Sequence, residues 1–468
     1  SLPAWAVSPP SGREHSDGRR WRLSLLDSTI LSNTLICTGA AIAEPLMGMA
    51  DTAFVGHLGL VPLASLGPNN TAFSFIAFFG AFSLSVATTD RIATCRAQGH
   101  PEDGIRALSI ALSIAIYLGA ALGLLMLAFP EQVLNIIGAN EEIMPMAVAF
   151  MAVRALSVPA MLIAVVAEGA YRAFLDLRTP FAVIAGSATM NIALNAFFLF
   201  GLEMGVVGAA LATTLSTCAA ALIFLARLHW HDRGQFEPLP SSEEDVKRAK
   251  GFMRDALLPW RAWRFPGWRN EFRIICSRCG ALLLRAVLIV AVYSVAGAVA
   301  ARMGTAEVAG HQVLRQLVSL QVCLTWAYMS VGQSLIANLF ESGPAGKAAA
   351  VRVARRVILY GSATAGVLSA ASWLARGALP AAIVSDPLAL AVMQPAMVPA
   401  CVMLLASANN AFEGVLLGAG DTAFAARCFV PASLTAVGML LLALHLNGGL
   451  AAIWWALASY YSVLLLLF

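Results

Sequence analysis

The chain has 468 residues, of which 59% are apolar and only 12% are Asp, Glu, Lys or Arg. Soluble domains carry roughly 25% of these charged residues, so the composition excludes an ordinary soluble enzyme, a disordered chain and a nucleic-acid-binding protein. The net charge of +4 is too small to indicate a partner. Apolar content this high along a whole chain is typical of a polytopic protein that lies in a lipid bilayer.

Long apolar runs recur along the chain after a polar N-terminal tail at 1–29. A run of about 18 or more apolar residues can cross the roughly 30 Å hydrocarbon core as a helix. We count twelve such runs, so the sequence predicts an all-α integral membrane protein with twelve transmembrane helices. The runs lie at about 30–56, 69–90, 105–128, 144–166, 179–200, 206–228, 276–300, 311–338, 353–375, 391–416, 426–445 and 449–468.

Basic residues are concentrated in alternate loops. The N-terminal tail and the loops after runs 2, 4, 6 and 8 are rich in Arg or Lys, whereas the loops after runs 1, 3, 5 and 11 have neither. The positive-inside rule therefore places both ends and all even loops on the cytosolic side or its topological equivalent. The alternation also supports a count of twelve, because a missed span would invert the pattern downstream.

A polar stretch at 229–275 separates six runs from six, which predicts an inter-lobe linker on the cytosolic side. The two halves resemble each other at one constant sequence offset, the repeat offset, which pairs Glu168-Gly169 with Glu413-Gly414 and Asp176 with Asp421. Several matches at one offset indicate a duplicated six-helix unit. Since six is even, both repeats enter from the same side. We therefore predict two pseudo-symmetric lobes, 30–228 and 276–468, of the kind that rock in alternating access.

Several segments resemble signatures of the MATE (multidrug and toxic compound extrusion) transporter family. These segments are MGMADTAFVGHLG at 47–59, YRAFLDLRTP at 171–180, NIALN at 191–195, MGVVGAA at 204–210 and GVLLGAGD at 414–421. The stretch at 300–312 is similar to the DinF-like branch, which includes plant and algal plastid members. The resemblance covers nearly the whole chain, from about residue 30 to residue 468.

The resemblance implies a secondary active antiporter that exports a small organic solute, a xenobiotic or a metabolite in exchange for H⁺, with Na⁺ as the alternative coupling ion. No cofactor is expected. No GxxxxGK[ST] motif occurs, which argues against direct coupling to ATP. Cys276 and Cys279 have the CxxC spacing of metal ligands, but no second pair follows them, so no metal site is predicted.

Asp51 is the strongest candidate for the coupling site. A carboxylate inside a span costs about 2.5–3.5 kcal/mol on insertion scales, so its presence suggests a role. Burial disfavours the charged form, which makes reversible protonation possible near neutral pH. The resemblance agrees, because the matching acid in MATE helix 1 is held to bind the coupling ion. The alternative is a helix-end aspartate that faces water.

Three further residues are predicted to lie near this site. Glu44 precedes Asp51 by two turns on nearly the same face, and Pro45 can bend the helix between them; the alternative is a packing kink. Asn191 and Asn195 share one face of the fifth run. Many relatives carry Asp at the second position, but Asn195 cannot titrate. Asp51, alone or with Glu44, would therefore have to bind the proton in this chain. The alternative for both asparagines is helix–helix hydrogen bonding.

Other intramembrane polar residues are candidates for lining the substrate cavity, namely Asn69, Asn70, Arg285, Gln333 and Glu413. We also expect Arg285 and Glu413 to form an ion pair, since neither stays charged in hydrocarbon without a partner or water, and we favour a static structural role for it. The charged residues at cytosolic helix ends are expected to be structural, as caps and salt bridges; they are Glu168, Asp176, Arg178 and Asp421.

Two alternatives to an antiporter stay open. A flippase of the lipid-linked oligosaccharide type would need more cations inside the spans, where we identified only Arg285. A membrane-embedded enzyme would need Asp-rich metal motifs such as DDxxD, and none occurs, so we predict no enzymatic activity. We expect a monomer in a plasma membrane or plastid envelope. The chain starts without Met and ends in an apolar run, which is typical of a fragment or a processed form.

Overall fold

The computed structural model describes residues 24–231 and 267–468, apart from positions 57, 59, 99, 138, 140, 142, 341–342 and 382–386. All regular structure in this part of the chain is helical. The predicted tail therefore lies mostly outside the described residues, as does most of the predicted linker.

The first six predicted spans coincide with helical elements that we label α1 to α6. They are α1 (Leu25–Gly56), α2 (Leu60–Ile76, Ala77–Phe82 and Ser83–Ala97), α3 (Pro101–Ala128), α4 (Met144–Ala155 and Val158–Ala173), α5 (Arg178–Ala196 and Phe197–Gly201) and α6 (Gly205–Ala226 and Arg227–His231). A short helix, Pro130–Ile137, follows α3.

The last six predicted spans coincide with α7 to α12. They are α7 (Trp268–Met303), α8 (Thr305–Phe340), α9 (Gly343–Leu374), α10 (Pro387–Ala406 and Asn409–Gly418), α11 (Thr422–His445) and α12 (Gly449–Leu467). The short helix Ala378–Ala381 follows α9. The predicted all-α class is therefore confirmed.

Within the described residues, ten helices are long and apolar enough to cross a membrane, and α4 makes eleven if its bent halves form one span. The two halves of α4 meet at an angle of 49°. Pro159 stands in the first turn of the second half, where its missing N–H costs no hydrogen bond. The remaining predicted span, α8, is long enough, but polar residues such as Gln321, Gln333 and Asn338 lower its mean hydropathy.

The chain forms two compact units. One runs from Gly39 to Gly280, and the other combines the residues up to Thr38 with Ala281–Phe468. The second unit has a continuous apolar core built from α7, α8, α10, α11 and α12. The lobe limits that the sequence suggests, 30–228 and 276–468, stay a prediction.

Helix α7 begins at Trp268, inside the stretch that hydropathy assigns to the linker. Two ion pairs of opposite polarity attach this first part of α7 to α2. The Nε atom of Arg91 lies 2.7 Å from Oε2 of Glu271, and Arg278 pairs with the buried Asp90. Charge pairing therefore helps to fix the start of this helix.

Two aspartates at matching positions of the repeats cap helices in the same way. Asp176 accepts hydrogen bonds from the backbone N–H and the hydroxyl of Thr179 at the start of α5, at 3.1 and 2.7 Å. Asp421 accepts one from the backbone N–H of Phe424 at the start of α11, at 3.1 Å. Both satisfy N–H groups that lack a partner within the helix. The expected capping role of these two residues is confirmed.

Two glycines, also at matching positions of the repeats, allow close helix packing. A Cβ atom at Gly169 would lie 2.7 Å from the carbonyl oxygen of Ser85, and one at Gly414 would lie 2.5 Å from that of Met329. Real side chains do not approach a carbonyl oxygen so closely. In both repeats, therefore, a glycine lets a helix touch the backbone of its neighbour.

Candidate functional site

Asp51 lies near the C-terminal end of α1, half-buried against α5 and α6. Its Oδ1 accepts a hydrogen bond from Nδ2 of Asn195 at 2.7 Å, and its Oδ2 lies 3.3 Å from the hydroxyl of Thr213. The structure thus brings the predicted acid together with one of the predicted asparagines and with a threonine that the sequence analysis did not select.

The two asparagines hold this arrangement in place. Both are fully buried, and Nδ2 of Asn195 lies 3.1 Å from Oδ1 of Asn191. Asn191 in turn donates to the hydroxyl of Thr213 at 3.1 Å. The hydrogen bonds of the asparagines join helices and also hold Asp51 in place. The two predicted alternatives, helix–helix bonding and a role at the site, are therefore compatible. The residues that hydrogen-bond to Asp51 in this network are neutral.

Thr213 has two acceptors within reach. Its hydroxyl lies 3.1 Å from the carbonyl oxygen of Ala209, one turn earlier in α6, and 3.3 Å from Asp51. A hydroxyl carries one proton and accepts through two lone pairs. It can therefore donate to ionised Asp51, or donate to Ala209 and accept from protonated Asp51. Both protonation states of Asp51 have a hydrogen-bond partner.

Arg154 brings a positive charge to the same region. It lies on the first half of α4, with its guanidinium group 4.3 Å from the centre of the Phe73 ring, and it interacts electrostatically with charged Asp51. Arg154 was not among the predicted site residues, and Arg285 is therefore not the only cation deep in a predicted span. The signal was present, because Arg154 is the single charged residue of run 144–166 and intramembrane charges are functional candidates.

The other candidates in this unit lie on α1 and α2. The backbone of Glu44 is helical, but its side chain is outside the described part of the structure. Asn69 is buried and donates to the carbonyl oxygen of Ala147 at 3.0 Å, which ties α2 to α4. Asn70, the next residue, is exposed. Their roles as coupling or cavity-lining residues stay predictions.

The remaining candidates lie in the second unit. Arg285 and Glu413 form the expected ion pair, with Nη2 and Oε2 3.1 Å apart and Nε bonded to Oε1. Both side chains are almost completely buried, and the ring of Phe429 lies 4.9 Å from the guanidinium carbon. This prediction is confirmed. Gln333 is buried on α8, and its proposed place at a cavity stays a prediction.

The Asp51 network is not repeated in the second unit. The positions that match its four members at the repeat offset are all apolar and fully buried in the core of that unit. They are Ala296 for Asp51, Ala436 for Asn191, Leu440 for Asn195 and Ala458 for Thr213. A duplicated fold therefore carries a polar carboxylate site in one repeat and packed hydrocarbon at the corresponding place in the other.

Comparisons with known proteins point to one transporter family. The MatE family model matches residues 37–197, a range that includes Asp51, Arg154 and Asn195. Protein DETOXIFICATION 42 of Arabidopsis thaliana is 26% identical over 483 residues, covering 91% of this chain and 87% of that protein. These matches support a MATE family transporter. MATE family members are transporters, which sets the enzyme alternative aside.

Other MATE relatives match a shorter part of the chain. Protein DETOXIFICATION 44, chloroplastic, of Arabidopsis thaliana is 27% identical over 67% of this chain. DNA damage-inducible protein F of Escherichia coli is 28% identical over 65% of it. The matched regions span 57% and 59% of those two proteins.

Solved MATE structures share the architecture. A mutant of the Vibrio cholerae MATE transporter VcmN superposes with a TM-score of 0.81 at 15% identity, over 95% of both chains. An outward-facing multidrug resistance MATE transporter of the MOP superfamily gives 0.78 at 17% identity, over 96% of both chains. This likeness establishes the fold, which is the twelve-helix, two-lobe fold of MATE transporters. The chain is an integral, multi-pass membrane protein.

Proposed function

We propose that this chain is a monomeric secondary active antiporter that exports a small organic solute in exchange for a proton bound at Asp51. The observation that carries the proposal is the network of Asp51, Asn195, Asn191 and Thr213. It places a carboxylate on one helix among neutral hydrogen-bonding groups of two others. A carboxylate with neutral partners can gain and lose a proton without breaking a salt bridge to its immediate neighbours.

An unused acceptor supports binding of a coupling ion. The Oδ1 atom of Asn195 is buried and has no hydrogen-bond partner among the described residues. Buried polar atoms normally find a partner. A proton carried by Asp51 would have two acceptors in this network, this amide oxygen and the hydroxyl of Thr213, which would then donate to Ala209. We favour H⁺ over Na⁺ because a nitrogen donor, the Nδ2 of Asn195, makes the shortest contact with Asp51, and Na⁺ prefers oxygen ligands.

A flippase is the second candidate, and Arg154 is the observation in its favour. Such a transporter needs cations inside the membrane to hold lipid-linked phosphates. However, the Arg154 guanidinium group stacks on Phe73 and interacts with Asp51, so these groups offset part of its charge. The contacts of Arg154 favour a carboxylate site over a phosphate site.

Gradient-driven uptake into proteoliposomes tests the function. Vesicles that are acidic inside, or rich in Na⁺ inside, would be offered a panel of fluorescent organic cations that includes ethidium. We expect accumulation with the pH gradient, and its loss when a protonophore collapses that gradient. Accumulation with the Na⁺ gradient alone would contradict the choice of proton. Lipid scrambling without accumulation would favour the flippase.

The native membrane is part of the proposal. Relatives named chloroplastic, such as DETOXIFICATION 44 and 45, favour the plastid envelope over the plasma membrane. Imaging the full-length protein as a fluorescent fusion in its own cells tests this choice, and signal confined to the plasma membrane would contradict it.

A further inference from the structure

Helix α9 presents one exposed face along its whole length. Successive exposed positions on this face fall three or four residues apart, which is the spacing of a single helical stripe. After Arg356 the stripe is apolar, with Leu359, Val367 and Leu374 exposed by 54%, 67% and 83%. In a membrane-spanning helix such a stripe faces lipid. Its members include positions 352, 356, 359, 363, 367, 370 and 374.

Three arginines lie at one end of this stripe. Arg352, Arg355 and Arg356 are all exposed and fall within about one turn of α9. We call them the arginine cluster. They lie near the N-terminal end of α9, which the positive-inside rule places on the cytosolic side. Asp27 of α1 lies 3.5 Å from Arg356.

The length of α9 places the cluster at the membrane surface. Arg356 and Trp373 are separated by about 26 Å along the axis at 1.5 Å per residue, close to the thickness of the hydrocarbon core. Tryptophan is enriched at membrane interfaces, and Trp373 is exposed with Arg376 over its ring. With Trp373 at one interface, the cluster lies at the level of the lipid headgroups in the opposite leaflet.

We propose that the arginine cluster binds the phosphate group of an anionic phospholipid in the cytosolic-side leaflet, while an acyl chain lies along the apolar stripe below it. Guanidinium groups bind phosphate oxygens in a bidentate manner. Leu359 and Val367 continue the same face toward the bilayer centre, so one lipid molecule matches both the charge and the apolar surface.

The stripe distinguishes a lipid from a soluble phosphate. A free phosphate ion would use the guanidinium groups but would gain nothing from the exposed leucine and valine side chains. The proposal therefore commits to a lipid, and it predicts that inorganic phosphate in excess does not displace it.

Lipid selectivity of the purified full chain tests the proposal. The chain would be placed in phosphatidylcholine nanodiscs with a trace of spin-labelled phosphatidylglycerol, and the protein-bound lipid would be measured by electron paramagnetic resonance. The test variant is R352Q/R355Q, which leaves the pair of Arg356 with Asp27 intact. The control is R376Q/R427Q, which removes two exposed arginines of the same unit that lie outside the cluster. Size-exclusion chromatography confirms that each variant is folded.

We expect preferential binding of phosphatidylglycerol by the wild type and the control variant. In R352Q/R355Q we expect the relative association constant to fall by about fivefold for each arginine removed. Equal selectivity in the test variant and the wild type would overturn the proposal. So would displacement by inorganic phosphate, or equal binding of a spin-labelled phosphatidylcholine.

Discussion

At the residue scale, Thr213 is the side chain that lets Asp51 keep a partner in both protonation states. Its hydroxyl lies between the carboxylate and the carbonyl oxygen of Ala209. The sequence did not single it out, because threonine is common in apolar helices. Asp51 and the asparagines were found because a carboxyl group and paired amides are rare in a membrane span.

Replacing Thr213 by valine tests this role at nearly constant volume. A hydrogen bond to a charged group contributes about 1.5–3 kcal/mol, so we expect Thr213→Val to slow proton-driven transport by about tenfold or more. Thr213→Ser keeps the hydroxyl and should restore most of the rate. Initial rates in proteoliposomes measure both. Wild-type rates for Thr213→Val would show that the hydroxyl is dispensable.

The pair of Arg285 and Glu413 has the opposite character, since the carboxylate is bonded directly to a permanent cation. Removing one partner of a buried pair leaves an uncompensated charge and costs about 3–5 kcal/mol. We therefore expect Arg285→Met to be strongly destabilised in detergent, and Arg285→Met/Glu413→Met to recover most of the loss. Thermal unfolding measures both variants.

The same double variant separates a structural pair from a functional one. A static pair predicts near-normal transport by the double variant once it is folded. A folded double variant without transport would instead show that the charges take part in the transport cycle.

At the element scale, apolar length predicted where all twelve helices lie, but it could not predict how they begin. The start of α7 at Trp268 is polar and is held by ion pairs to α2, including Arg91 with Glu271. Hydropathy has no means of detecting such pairing across 180 residues of sequence. Arg154 was missed for a related reason, because a single charge barely lowers the mean hydropathy of a long run.

Glycine packing offers a sharp test at this scale. Gly414 touches the backbone of α8, whereas a Cβ atom at Gly438 in α11 would meet nothing within 4 Å. We expect Gly414→Ala to lower the free energy of unfolding by about 1–3 kcal/mol through overpacking. Gly438→Ala is the matched control, and better helix propensity should leave it neutral or more stable by up to about 1 kcal/mol. Equal effects on the thermal midpoint would contradict the packing account.

At the scale of the whole molecule, the two repeats share helix caps and packing glycines but differ in their buried charged residues. Caps and packing glycines recur at the repeat offset, as Asp176 and Asp421 show. The carboxylate network occurs in one repeat, and hydrocarbon fills the corresponding place in the other. The matches at the repeat offset predicted the duplicated six-helix unit. The meeting of α1, α5 and α6 at Asp51 needed the structure, because residues 144 positions apart have no local signal of contact.

Measuring proton efflux from proteoliposomes that contain Asp51→Asn tests whether the carboxylate network of the first repeat binds the coupling proton. Proteoliposomes containing a pH-sensitive dye would report proton efflux when an organic cation is added outside, and Glu102→Gln, an exposed change in the same unit, serves as control. We expect coupled proton efflux from the wild type and the control. We expect none from Asp51→Asn, although this variant should fold normally because a neutral side chain is easier to insert. Proton efflux at the wild-type rate from folded Asp51→Asn, at every pH tested, would contradict the assignment of the coupling site.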